Sequence, residues 1–171
     1  LTKADLSDSA MTGANFSSAN LTSARLRSTE ANGVVFVTAN LTRADLSDAS
    51  ASGANFARAV MNYAILKSAS IRGGVFDGAS LERATLNDIE ASGANFKNAR
   101  LVGATLKSAE LQGANFARAD ASGAVFQDAD MTGANLAGGD FNHVSFRSAD
   151  LSGANLAGGE FDGADFRNAD L

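Results

Sequence analysis

Residues 131–151 read MTGANLAGGDFNHVSFRSADL, and residues 151–171 read LSGANLAGGEFDGADFRNADL. The second stretch nearly copies the first at an offset of twenty, and within each the pattern small–polar–large recurs every five residues. Worked outward, that register covers the chain from Leu1 to Leu171 without a slip. All eleven phenylalanines fall in one of the five classes, with the three methionines, sixteen leucines, Ile71, Ala31, Ala51, Ala91 and Ala121. Two residues before each of these centres stands alanine or a small or β-branched substitute such as Ser9, Gly74, Val34 or Ile89. A period of five fits neither a strand nor an α-helix. It fits a chain that turns a corner every five residues and places one large and one small residue inside per side. The remaining positions are rich in Asp, Asn, Ser, Thr and Gly, which favour tight turns.

A second period sets the number of sides. Gly13, Gly33, Gly53, Gly73, Gly93, Gly113, Gly133 and Gly153 are spaced by twenty, as are Phe16, Phe36, Phe56, Phe76, Phe96 and Phe116. Twenty residues therefore make one coil of four sides. The glycine series marks one corner expected to need positive φ or a close backbone approach. Centres ten apart face each other, so Phe36, Phe56 and Phe76 oppose Leu26, Leu46 and Leu66. The arrangement inverts later, where Phe126 opposes Leu136 and Phe146 opposes Leu156. One large and one medium residue then fill each layer, as a close-packed core requires. Coils stacked at about 4.8 Å give a rod roughly 40 Å long.

The tandem motif of alanine, then Asp or Asn, then Leu or Phe is carried by Ala4-Asp5-Leu6, Ala14-Asn15-Phe16, Ala19-Asn20-Leu21 and Ala149-Asp150-Leu151. In this, over its whole length, the chain resembles the pentapeptide-repeat proteins. The resemblance implies an all-β fold: a right-handed quadrilateral parallel β-helix with four five-residue sides per twenty-residue coil. It implies no enzyme activity and carries over no catalytic residue. Where function is known in that family, it is binding. One branch resembles a DNA duplex in shape and charge and protects DNA gyrase from quinolones. This chain departs from that branch in having no loop between coils, no C-terminal helix and no cysteine.

Composition narrows the field. With 171 residues in one unbroken register, a single repeat domain over 1–171 is expected, with excision from a longer chain compatible with the pattern. Zero cysteine rules out disulfides, thiolate metal sites and a cysteine nucleophile. No apolar run approaches the roughly 20 residues that cross a bilayer, so no membrane partner is expected. No charged-then-apolar leader opens the sequence, which makes the cytoplasm the default location. A net charge of −5 argues against direct nucleic-acid binding. No catalytic residue, cofactor or metal site is expected, because the interior is filled by the protein's own side chains.

Three outward features bear on function. Residues 120–171 carry nine carboxylates against Arg147 and Arg167, a net −7 that leaves +2 for residues 1–119. One column at twenty-residue spacing, Glu90, Glu110, Asp130, Asp150 and Asp170, is acidic throughout and forms a candidate interaction stripe. A nearby column, Arg27, Lys67, Lys107, Arg147 and Arg167, is largely basic, so mutual neutralisation by surface pairs is the plainer expectation. Leu1 and Leu171 both occupy centre positions with no visible cap, which makes Phe161, Phe166 and Leu171 a candidate surface for end-to-end self-association. Gly158-Gly159-Glu160-Phe161 reads like a diguanylate cyclase signature, but Gly159 takes the small inward position and Phe161 the centre. His143, the only histidine, and Tyr63 read as solvated corner residues. The leading expectation is a non-enzymatic scaffold for a protein partner. The alternative is a DNA mimic that binds gyrase or another topoisomerase through the acidic stripe.

Overall fold

The five-residue pattern dictates where each backbone donor finds its acceptor. A computed structural model describes residues 1–171 as an all-β, right-handed quadrilateral β-helix with no α-helix. The residue before each centre forms a parallel bridge with its equivalent twenty residues on, from Asp5–Arg25 to Asp150–Asp170. Each centre N–H donates to a C=O nineteen residues ahead, as Leu6 does to Arg25 at 2.8 Å. The residue before a centre donates back to the preceding coil, as Arg25 does to Ala4 at 2.9 Å. The third residue of each corner also bonds forward, Lys3 to Thr22 at 2.9 Å, and the fourth closes the turn, Ala4 to Leu1 at 3.0 Å. Four of five N–H groups are thus satisfied by backbone.

The fifth, on the residue after each centre, is where the Asp/Asn bias acts. Side-chain Oδ1 of the residue before the centre accepts from it: Asn15 from Ser17 at 2.9 Å, Asp45 from Ser47 at 3.0 Å, Asn155 from Ala157 at 3.1 Å. Where that residue is not Asp or Asn, an asparagine one coil below can substitute, as Asn32 does for Ser52 at 2.9 Å. A backbone donor otherwise left to solvent is thereby tied down.

The glycine column holds positive φ as expected, from 62° to 69°. Positive φ is not confined to the glycine column. It occurs at the third residue of every corner, and twenty of those residues are not glycine, with φ between 52° and 60°. Only that residue is left-handed in each turn, the signature of type II geometry. Nor does a close approach explain the column, since a Cβ at Gly53 or Gly93 would meet nothing within 4 Å. Glycine relieves this strain along one corner and at scattered positions of two others, such as Gly78, Gly103 and Gly158, while elsewhere the side chain accepts it.

Inside, the large residues stack along the axis. Phe16, Phe36, Phe56, Phe76, Phe96 and Phe116 lie ring over ring, with centroids 4.7–5.4 Å apart. At Phe116 the aromatic column changes sides through an edge contact with Phe126 at 5.6 Å, and continues through Phe146 to Phe166. The inversion follows the sequence pattern. The last coils depart from one large residue per layer, because Phe141 and Phe161 add a second stack at 5.4 Å. Room for it comes from the small position two residues earlier. A Cβ on Gly139 would lie 2.6 Å from the Phe141 ring, and one on Gly159 2.7 Å from the Phe161 ring.

Candidate interaction surface

An outward residue at a bridge position is repeated one rung further along the rod by its equivalent in the next coil, so charge columns are a direct consequence of the repeat. Glu90, Glu110, Asp130, Asp150 and Asp170 occupy consecutive bridged rungs of one face. The structure divides them in two. Arg72, at the adjoining corner, reaches both Glu90 and Glu110 at 3.4 Å. Asp130, Asp150 and Asp170 have no cation within ion-pair distance.

The expected neutralisation by the basic column does not form. Arg27 pairs with Asp45 and Asp48, Arg167 with Asp165, and Lys67, Lys107 and Arg147 form no ion pair. The reason is direction. Arg27 and Arg167 leave the corner shared by two faces and turn onto the adjacent face, where Asp45 and Asp165 lie, rather than onto the face of the acidic column.

The uncompensated carboxylates are held instead by neutral donors. Asp130 Oδ1 accepts from the Thr132 hydroxyl at 2.6 Å and the Thr132 N–H at 3.0 Å, and Oδ2 accepts from the Gln112 amide at 2.6 Å. The Thr132 hydroxyl, ahead of the Thr132 N–H and Gln112, keeps Asp130 below the ordinary carboxylate range against partial burial, which pushes upward. Asp150 is lowered likewise by the Ser152 side chain and N–H, with burial and the Asp130 charge opposing. On another face Arg167 grips Asp165 through Nε at 2.8 Å and Nη2 at 2.6 Å and pulls its pKa down to about 2. For a lowered carboxylate the sign is fixed: its stabilisation is present above the ordinary pKa and is lost as pH falls through the lower folded value. Asp130 and Asp150 therefore stay charged throughout the neutral range, and both also hold turns.

A second acidic column went unread in the sequence. Asp120, Asp140 and Glu160 occupy consecutive rungs on the face opposite the stripe. The signal was the same twenty-residue spacing taken ten positions out of phase, hidden because the column begins as Asn20, Asn40, Val60, Ser80 and Arg100.

The other candidates are placed as follows. Phe161 and Phe166 are half-buried and held by the stacks below, while Leu171 is 69% exposed. Tyr63 lies under the Arg43 guanidinium, 5.6 Å from its ring centroid. The His143 ring lies over Gly163, where a Cβ would come within 2.6 Å of Nδ1. The Gly158-Gly159 pair has a structural account: Gly158 takes the left-handed corner at φ 66° and Gly159 makes room for Phe161.

A filled square rod with outward charge columns defines a class of protein, the quadrilateral β-helical solenoids. The chain belongs to the pentapeptide-repeat family: the family model for pentapeptide repeats matches in eight copies over residues 1–36, 39–78, 75–110, 109–147 and 145–171. Among solved structures, a trypsin-treated variant of QnrB1, a plasmid-mediated fluoroquinolone resistance protein, is similar at 22% identity. That match covers 95% of this chain and 83% of that one, with a TM-score of 0.55. HetL, a pentapeptide repeat protein involved in heterocyst differentiation regulation in the cyanobacterium Nostoc, is 27% identical over 98% of this chain and 86% of its own, with a TM-score of 0.45. A pentapeptide repeat protein from the Arabidopsis thaliana thylakoid lumen is 25% identical over 65% of this chain and 67% of its own, with a TM-score of 0.34. Comparison with curated protein sequences finds no match. No helix is long and apolar enough to cross a membrane.

Proposed function

We infer that this chain is a non-catalytic scaffold, acting as one array over residues 1–171, whose outer faces bind another protein. One observation carries the reading: the interior is occupied from end to end by its own stacked rings and leucines, so what varies from coil to coil is the outward columns. The coil-to-coil ladder fixes those columns in space, and a rigid surface binds with little ordering cost.

A second reading has its own observation. Asp130, Asp150 and Asp170 form a regular, cation-free column, as a mimic of a phosphate backbone requires, and a DNA-handling enzyme such as gyrase is the partner that would read it. Affinity capture on the immobilised rod, beside a variant with Asp130, Asp150 and Asp170 each changed to Asn, separates the two. The scaffold reading expects both rods to hold the same protein. Capture of a topoisomerase by the unaltered rod alone, displaced by duplex DNA at low salt, transfers the lead to mimicry. Mimicry is discarded if purified gyrase ignores the unaltered rod under those conditions.

A further inference from the structure

The face built on the second acidic column changes sign along its length. It is bounded by the corners that precede and follow its bridge residues. From Arg43 to Arg100 it carries five cations, Arg43, Arg58, Arg83, Lys97 and Arg100, against Asp77 and Glu82. From Arg118 to Asp162 it carries Arg118 against Asp120, Asp140, Glu160 and Asp162. The two lengths thus hold +3 and −3. The opposite face does not divide this way, since Lys107, Arg147 and Arg167 border its acidic end.

Most of these charges lack an internal partner. Arg100 pairs with Glu82 at 3.0 Å and approaches Asp120 at 4.0 Å. Arg43, Arg58, Arg83, Lys97 and Arg118 form no ion pair, and neither do Asp140, Glu160 and Asp162. The arginines are also aimed. The Cγ of Arg58 packs 3.6 Å from the Cβ position of Gly78, and that of Arg83 3.6 Å from that of Gly103, so both lie lengthwise over a corner without a side chain. At the basic end Val60 and Tyr63 are 39% and 45% exposed. At the acidic end the border is smooth, with Ala137, Gly138, Ala157 and Gly158.

We propose that this face is a self-association surface on which two copies of the chain lie antiparallel, the basic length of each over the acidic length of the other. A two-fold axis crossing the rod between the coils of Arg100 and Asp120 sets Asp140 of one copy against the level that Arg58 of the other reaches over Gly78, and Asp120 against the level that Arg83 reaches over Gly103. It also sets Tyr63 against Asp162. Both copies have the same rung spacing, so a register that matches one pair matches all of them. A parallel arrangement places like charges together and is disfavoured. A flat face about 10 Å wide and 30–40 Å long buries about 300–400 Å² per partner, less than a stable interface needs, so the contact is a weak one held by charge and the dimer forms only at high concentration and low salt.

Sedimentation velocity of the whole chain tests this across protein concentration and salt. The unaltered chain is expected to give a species of twice the chain mass that dissociates as salt rises. Arg58→Glu with Arg83→Glu turns the basic length from +3 to −1, so both lengths are net acidic, and Asp140→Lys with Glu160→Lys turns the acidic length from −3 to +1, so both are net basic. Each is expected to weaken self-association at least about tenfold, and an equal mixture of the two to restore a heterodimer. A chain that stays monomeric at low salt and high concentration overturns the proposal. So does a dimer that ignores salt, or one that survives both reversals, as contact through Phe161, Phe166 and Leu171 would. The salt titration of the unaltered chain stands even if a variant fails to fold.

Discussion

Thr38 holds φ at 56°, where a β-branched side chain crowds its own backbone. Its hydroxyl is engaged by the Val37 carbonyl at 2.7 Å and the Ser18 hydroxyl at 2.8 Å, both near the surface. Asparagine accepts left-handed backbone far more readily. Thr38→Asn is therefore expected to stabilise the fold by about 0.5–1 kcal/mol, seen as a higher urea midpoint at unchanged slope. A lower midpoint would mean the two hydroxyl contacts outweigh the backbone strain. At this scale the sequence was half legible. Asp and Asn before the centres marked turns, and the structure adds that their oxygens serve the N–H two residues on. The left-handed corners were visible only where glycine stood, because Ser, Asp, Arg and even Thr occupy the same backbone state elsewhere. A residue type that tolerates a conformation poorly does not announce that it adopts it.

Among the coils, Gly139 and Phe141 are a fitted pair. In the same column two coils earlier, Ala99 precedes Leu101, and both are fully buried. Replacing that leucine by phenylalanine brings the ring onto the volume an alanine methyl would fill. Gly139→Ala alone, ordinarily neutral or favourable where φ is not positive, is expected to cost about 1–3 kcal/mol by overpacking. Added to Phe141→Leu the same change should cost less, the 2.9 Å approach of the new Cβ to the Ala119 carbonyl remaining, giving a coupling of roughly 0.5–3 kcal/mol in a double-mutant cycle of chemical denaturation. Additive effects would show that the tight contact is relieved by backbone movement instead. The aromatic inversion at Phe126 could be read from spacing, since a centre's side is fixed by its number alone. The fit of Gly139 to Phe141 could not, because periodicity gives the side on which a residue lies and not the distance between atoms.

Over the whole rod, electrostatics and packing were legible to different degrees for one reason: the repeat fixes rungs, while long side chains cross them. The acidic stripe follows from twenty-residue spacing, but its neutralising partner does not, since Arg72 reaches Glu90 and Glu110 one and two coils further on. Packing has no such reach. Each coil touches only the coils above and below, so stability should be a sum of nearest-neighbour contacts. Phe96 tests this, with rings 4.7 Å below and 4.9 Å above it and no exposed surface. Phe96→Ala is expected to cost about 3–5 kcal/mol, the usual range for emptying a buried aromatic site. The loss should stay local. In native-state hydrogen exchange the Phe76 and Phe96 amides, which donate to Asn95 and Asn115, should lose at least about a hundredfold in protection. The amides of Leu26 and Phe146, several coils away, should exchange as in the unaltered chain. Uniform loss from end to end would mean that the rod opens as one cooperative body, with coupling longer than one coil. A rigid face of the kind proposed for partner binding would then depend on every layer beneath it.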